Sequence, residues 1–109
     1  MCVHEFGIMQ TAPESGRRYD EYEPEKYGCI TVDDDAIQSV AKRLNEVKCY
    51  WHTLEKPQYG LAYYGTTLIP PSSFDYIIEI IAKKQSFSEL LALIIKAKEQ
   101  NKYIIHFGI

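Results

Sequence analysis

The segment 49–69 constrains the fold of this chain more than any other part of the sequence. It holds the only tryptophan and four of the nine tyrosines, and a turn-forming stretch over 55–60, with one proline and one glycine, divides it. Apolar and aromatic runs on both sides of such a stretch predict two paired antiparallel strands. Symmetric pairing about the stretch would place Trp51 opposite Tyr64.

Side chains of a strand alternate between two faces, so this register divides the segment into two surfaces. Trp51 and Tyr64 would supply aromatic side chains to the core. The other face would present Tyr50, His52, Tyr63 and Thr67. We predict that this second face is a binding surface, because tyrosine offers a large contact area and a polar tip. Two alternatives stay open: the sheet exposes a half-apolar face, or the loop over 10–26 covers it.

Hydrophobic periodicity places further strands and helices around this segment. Alternating or continuous apolar runs predict strands over 2–9, 27–32 and 102–109. Spacings of three and four residues predict helices over 36–47 and 74–84, and a third that follows Ser86 and ends near Gln100. The order β–β–α–β–β–α–α–β predicts an α+β fold. We expect a mixed or antiparallel sheet of five strands with three helices packed mainly on one face, in a single compact domain over 1–109.

Composition and charge exclude several classes of function. A net charge of −3 disfavours nucleic-acid binding, which usually needs a basic patch, and the basic residues suit solvated helix faces. No apolar run reaches the ~18 residues of a membrane span, and the N-terminal sequence lacks the features of a secretory signal. Three cysteines without paired spacing suit free thiols in a reducing compartment. We therefore expect a soluble cytoplasmic protein with neither nucleic acid nor membrane as a partner.

The loop over 10–26 is acidic and aromatic. Residues 1–35 carry nine acids and three bases, a net charge of −6, and Tyr19 and Tyr22 lie among the acids of this loop. A negative, tyrosine-rich patch can attract a basic protein and accelerate the encounter. The alternative is an ordinary solvated loop, since exposed loops are usually charged and polar. We include both tyrosines among the predicted partner-binding residues.

Cysteine and histidine side chains offer candidate metal ligands and nucleophiles. Thiolates and imidazoles suit zinc, and the candidates are Cys2, His4, Cys29, His52 and His106. They lie on separate predicted elements, with neither a Cys-x-x-Cys nor a His-Glu-x-x-His motif, so we expect small buried cysteines and ordinary sheet histidines instead. Cys29 beside His4 or His106 would form a nucleophile only if their strands were neighbours.

The acidic run Asp33–Asp35 is a further candidate, in this case for a hard cation. Carboxylate oxygens suit magnesium and calcium, but the alternating acids of an EF-hand loop are missing. Capping of the helix that follows, with negative charge at the positive end of its dipole, explains the run without a metal. We therefore predict no metal, no cofactor and no catalytic residue.

Parts of the sequence resemble barstar-like inhibitors. The helix end IIKAKEQN followed by YIIHFGI, together with Tyr63-Tyr64-Gly65, carries this resemblance, which covers about a fifth of the chain. Here Tyr63-Tyr64-Gly65 falls inside a predicted strand rather than before an inhibitory helix, so no residue role is transferred. The resemblance favours interaction with another protein.

These observations together predict a small non-catalytic interaction domain of a regulatory or immunity type. A protein partner, or a second copy of the chain in a homodimer, would cover the aromatic face. The predicted contact residues are Tyr50, His52, Tyr63, Thr67, Tyr19 and Tyr22. The alternative is a small-molecule-binding or enzymatic domain, in which His52 is the acid–base group and Tyr50 and Tyr63 assist it.

Overall fold

The computed structural model describes residues 2–109. Over these residues the chain forms six strands, β1 (Val3–Ile8), β2 (Ile30–Asp33), β3 (Lys48–Trp51), β4 (Pro57–Tyr59), β5 (Thr66–Ile69) and β6 (Ile104–Phe107). It also forms four α-helices, α1 (Asp34–Ser39), α2 (Ala41–Leu44), α3 (Phe74–Ile81) and α4 (Ser88–Gln100). None of these helices has both the length and the apolar character needed to cross a membrane.

The strands form one antiparallel sheet in the order β2-β1-β6-β5-β3-β4. The first and last strands of the chain, β1 and β6, pair inside this sheet, where side chains on both faces are covered. Burial on both faces explains why the sequence around β6 is apolar at nearly every position. The predicted α+β class is confirmed, and the sheet, which was predicted to be mixed or antiparallel, is antiparallel. The predicted counts of five strands and three helices are wrong, since the described residues form six and four.

The extra strand comes from the tyrosine-rich segment, which forms three strands rather than two. β3 pairs with β4 on one side and with β5 on the other, where Trp51 lies opposite Thr67. The indole Nε1 of Trp51 donates a hydrogen bond to the carbonyl oxygen of Gly60 at 3.0 Å, next to the end of β4. The predicted pairing of Trp51 with Tyr64 is therefore wrong. Part of the stretch that was expected to form the turn builds β4, and β3 pairs with β5 in a different register.

The predicted helix over 36–47 is two short helices that begin two residues earlier. Val40 has φ −122° and separates α1 from α2. The aspartates were expected to cap the helix, but Asp33 makes no side-chain capping bond. Asp34 lies in the first turn, where its charge faces the positive end of the dipole, and its carboxylate bonds to two side chains from other elements.

The helices pack against one face of the sheet, which we call the helix side. Its apolar core joins Phe6, Ile69 and Ile104 of the sheet to Phe74 at the start of α3 and Phe87 before α4. All five side chains are almost completely buried. Because strand residues alternate, this packing assigns every second residue of β1, β5 and β6 to the helix side.

The long segment between β1 and β2 covers the other face, which we call the loop side. Tyr19 from this segment is buried in a cluster with Leu68 and Ile105 of the sheet. The main-chain N–H of Tyr19 also donates to the carbonyl oxygen of His52 at 2.7 Å. The loop is therefore docked on the sheet by its aromatic residues.

Candidate functional site

The four residues predicted to share one face of the tyrosine-rich segment are separated in the structure. Tyr50 is half-buried on the loop side. Thr67 is fully buried on the helix side, because the observed register differs from the predicted one by an odd number of positions. Tyr63 lies in the loop before β5, and His52 follows β3 with φ 65°, outside any strand. The predicted common face is therefore wrong.

A surface cleft of ≈ 570 Å³ opens at the end of the sheet where β1 begins and β6 ends. His52 and Tyr22, two of the six predicted residues, line it. Tyr64 also lines the cleft and is 81% exposed, so its predicted place in the core is wrong. Tyr22 is 65% exposed, whereas Tyr19 is buried and does not line the cleft. The cleft therefore combines residues from the long loop, from the turn after β3 and from the loop before β5.

The backbone fixes the position of His52 in the cleft. Its main-chain N–H donates to the carbonyl oxygen of Thr66 at 2.9 Å, and its positive φ is uncommon for a residue other than glycine. A Cβ atom on Gly65 would lie 2.5 Å from Nε2 of His52, so the imidazole packs directly against bare glycine backbone. Its Nδ1 lies 2.7 Å from Oδ1 of Asp20, a close polar contact that lacks the direction of a well-formed hydrogen bond.

Two carboxylates give the cleft a negative character. Glu5 of β1 accepts a hydrogen bond from the hydroxyl of Tyr22, and this bond raises the pKa of Tyr22. Asp20 accepts two bonds from the guanidinium of Arg18, at 2.7 and 3.2 Å. This pair lowers the pKa of Asp20, and His52 contributes less in the same direction. In the described part of the chain, no lysine or arginine lines the cleft.

A second polar cluster, which we call the histidine chain, lies on the helix side at the same end of the sheet. Its members are Thr67, His106, His4, Asp34 and Tyr63. Nδ1 of His106 lies 3.0 Å from Oγ1 of Thr67, and Nε2 of His106 lies 2.8 Å from Nδ1 of His4. Nε2 of His4 lies 2.8 Å from one carboxylate oxygen of Asp34, and the Tyr63 hydroxyl donates to the other at 2.8 Å.

One arrangement of protons satisfies this cluster. The main-chain N–H of Ala62 donates to Oγ1 of Thr67 at 2.8 Å, which leaves the threonine hydroxyl to donate to Nδ1 of His106. His106 then donates from Nε2 to His4, and His4 donates from Nε2 to Asp34. Both imidazoles are neutral in this arrangement. Burial of the ring, with a smaller effect of the neighbouring His4, places the pKa of His106 well below its ordinary value.

The geometry of the histidine chain suits a structural role. His4 and His106 are 0% exposed, so neither imidazole can contact a substrate. The cluster reaches solvent only where Asp34 and Tyr63 are partly exposed. Its bonds to two residues of the loop before β5 tie that loop to β1 and β6. The same loop carries Tyr64, so the histidine chain supports one part of the cleft from behind.

The structure brings together two of the candidate zinc ligands, His4 and His106, but keeps Cys29 apart from them. Cys29 lies on the loop side, whereas His4 and His106 lie on the helix side, so the cysteine–histidine pair does not form. Burial raises the pKa of Cys29 and of Cys49 to about 12, which opposes thiolate formation. Cys2 is exposed, contrary to the expectation of buried cysteines. In the part of the chain that the structure describes, no group of three metal-ligating side chains is present.

Ten of the twelve residues that line the cleft were not among the predicted contact residues. Four of these ten carry its chemistry or shape, namely Glu5, Asp20, Tyr64 and Gly65. A signal for Glu5 was available, because a charged residue between the apolar positions of β1 must point away from the helix-side core. Gly65 next to two tyrosines is a second signal, since glycine often marks a close approach. Nothing in the sequence indicates that the loop brings Asp20 to His52.

Comparisons with known proteins identify no relative. No family model matches the chain, and no curated protein or solved structure matches it either. The resemblance of short segments to barstar-like inhibitors therefore gains no support from these comparisons. Function has to be inferred from the cleft and from the side chains that line it.

Proposed function

We propose that this protein is a non-catalytic interaction domain that binds another protein through the cleft. The observation that carries this proposal is the exposure of two tyrosines, Tyr22 and Tyr64, along one open and acidic cleft. Tyrosine is enriched in protein interfaces because it supplies a large, rigid contact area and a hydrogen-bonding tip at low entropic cost. Grouped exposed aromatic side chains are more informative than isolated ones, which occur on any surface.

The enzymatic alternative has less support. It requires Tyr50 and Tyr63 beside His52, but Tyr63 donates to Asp34 on the helix side and Tyr50 is half-buried in the loop-side cluster. The cleft is also an open groove, whereas small-molecule sites usually enclose most of the ligand. An open groove of this kind suits the surface of a protein.

The same proposal extends to location and assembly. The three cysteines are free, which fits a reducing compartment such as the cytoplasm. A regulatory or immunity-type role is consistent with binding that requires no chemistry. A second copy of the chain is the alternative occupant, since a homodimer would bury the same two tyrosines.

Affinity capture with matched variants tests this proposal. The wild-type protein, Tyr64→Ala and Tyr59→Ala serve as baits, and each captured protein is identified, purified and titrated by calorimetry. Tyr59 is the control because it is a tyrosine that is 65% exposed but lies on the edge strand β4, outside the cleft. Circular dichroism checks that each variant is folded. Light scattering of the purified protein tests for a homodimer.

We expect the wild type and Tyr59→Ala to bind the same purified partner with equal affinity. Tyr64→Ala should weaken this binding by about thirtyfold, the effect of losing a contact of roughly 2 kcal/mol at the centre of an interface. Equal binding by all three proteins would contradict the proposal. A concentration-dependent dimer that Tyr64→Ala dissociates would assign the cleft to self-association instead.

A further inference from the structure

Resting on the proposed function, we infer that the partner presents an arginine side chain to the cleft. The cleft presents the carboxylates of Glu5 and Asp20 to its occupant. Among the described residues, no lysine or arginine lines the cleft, so the occupant has to supply the complementary positive charge. The segment that supplies both carboxylates to the cleft has the same sign, since residues 1–35 carry a net charge of −6. A cationic group is therefore attracted from a distance and meets its counter-charges in the cleft.

The long loop already binds its own guanidinium groups in the two ways that this inference requires. Asp20 holds Arg18 by two hydrogen bonds, at 2.7 and 3.2 Å, which is the fork geometry that a planar guanidinium allows. The guanidinium of Arg17 lies 5.0 Å from the centre of the Tyr19 ring, within the range of a cation–π contact. The cleft offers an incoming guanidinium the same chemistry, namely carboxylates and exposed tyrosine rings.

Arginine fits this chemistry better than lysine does. A guanidinium binds a carboxylate through two parallel bonds and stacks on an aromatic ring, whereas an ammonium is a compact and more strongly hydrated point charge. Within the protein, the side chain that donates hydrogen bonds to the Asp20 carboxylate is itself that of an arginine. The partner should therefore lose affinity when its arginine is replaced by lysine.

Arg18 is an internal competitor for the same carboxylate. Its side chain is 61% exposed and does not line the cleft, so it binds the Asp20 carboxylate from outside the cleft. Exposed ion pairs of this type are weak, so the guanidinium of a partner can replace it. Removal of Arg18 should strengthen arginine binding. Removal of Arg17 changes the net charge equally but frees no bond to Asp20, so it is the matched control.

Nuclear magnetic resonance titrations with short peptides test this inference directly. The probe is a blocked Gly-Arg-Gly peptide, with lysine, citrulline and glutamate peptides of the same length as comparisons. Amide shifts are followed in the wild type and in Glu5→Gln, Arg18→Gln and Arg17→Gln. Glutamine at position 5 keeps an acceptor for the Tyr22 hydroxyl and removes the charge. Citrulline keeps the shape of arginine without its charge.

We expect the arginine peptide to shift amides of residues 20–22 and 64–66, and high salt to weaken binding. Glu5→Gln should weaken it on the order of tenfold, the loss of one bond to a charged group. Arg18→Gln should tighten it by about two- to fivefold relative to Arg17→Gln.

Four results would overturn the inference: no shifts with the arginine peptide, equal shifts with the citrulline or glutamate peptide, equal affinity for the lysine peptide, or equal affinities of Arg18→Gln and Arg17→Gln. The proposed function would survive any of these if a purified partner still loses affinity for Tyr64→Ala. A partner that binds Tyr64→Ala normally would remove the proposed function itself.

Discussion

Acidification from pH 7 to pH 5 should destabilise the folded protein through the buried imidazole of His106. In the folded state, burial and the neighbouring His4 hold the pKa of His106 well below its ordinary value. In the unfolded chain the pKa of a histidine returns to about 6.5. The unfolded state then binds a proton that the folded state does not. The stabilisation is therefore fully present above about pH 6.5 and decreases as the pH falls below it.

The size of this effect follows from one proton. One proton sets the upper limit: the free energy of unfolding should fall by up to about 1.4 kcal/mol for each pH unit below 6.5, which is up to about 2 kcal/mol at pH 5. Asp20 and Asp34 do not add to this loss, because their pKa values are lowered and their contribution disappears only below about pH 4. The hydrogen bonds add an obstacle to burial, since a proton added to Nδ1 of His106 would meet the Thr67 hydroxyl that donates to it unless this hydroxyl rotates away.

Urea unfolding between pH 7 and pH 5, followed by circular dichroism, measures the effect. His106→Gln is the informative variant, because a glutamine amide can still donate to His4 but does not titrate. We expect this variant to take up about one proton fewer than the wild type on unfolding near pH 5, so its free energy of unfolding should depend less on pH. His52→Gln is the control, since it removes a partly exposed histidine outside the histidine chain. Equal free energies of unfolding at pH 7 and pH 5, or equal pH dependence in the wild type and His106→Gln, would refute the reasoning.

Three further perturbations test individual contacts. Gly65→Ala should displace His52 by placing a methyl group 2.5 Å from Nε2, so partner binding should weaken in calorimetry while the thermal midpoint changes little; unchanged binding would contradict the assigned contact. Gly108→Ala should destabilise the protein by about 1–3 kcal/mol in urea, because the added carbon would overlap a main-chain carbonyl oxygen, and an unchanged midpoint would show that the backbone can move. A thiol reagent should modify exposed Cys2 first and Cys49 only after unfolding, because Cys49 is buried and burial raises its pKa to about 12; simultaneous modification, detected by mass spectrometry, would be the opposite result.

The class of the fold could be predicted from the sequence because it depends on local periodicity. The apolar spacing that predicted a helix ending near Gln100 corresponds to α4, and the apolar run over 102–109 contains β6. Both signals are present within a few consecutive residues. The observed boundaries differ from the predicted ones by a few residues. The turn before β2, with Gly28 at φ 56°, delays the start of that strand without a change in hydrophobicity.

The register of the tyrosine-rich segment could not be predicted, because tertiary contacts decide it. β4 has only three residues and lies at the sheet edge, where Pro57 can be accommodated without a main-chain N–H. The bond from Trp51 to the carbonyl of Gly60 and the left-handed backbone of His52 complete this arrangement. The pairing of β3 with β5 differs from the predicted register by three positions. Because this number is odd, Thr67 lies on the face opposite to that of Tyr50 and is a core residue.

The candidate site could be predicted only in part. Tyr22 and His52 were selected by residue type, since exposed aromatic and imidazole side chains favour binding. The pairing of His4 with His106 was not accessible, because it joins the first strand to the last across 102 positions of sequence. Only knowledge that β1 and β6 are neighbours reveals the histidine chain, and no local pattern supplies that knowledge.

Hydrogen exchange of the protein with and without its purified partner tests the central claim most directly, namely that the cleft is the binding surface. We expect slower exchange of main-chain amides over 20–23 and 63–66, which surround Tyr22 and Tyr64. Exchange in α3 and α4, on the opposite side of the sheet, should be unchanged. Slower exchange confined to α3 and α4, with the amides around the cleft unaffected, would contradict the account.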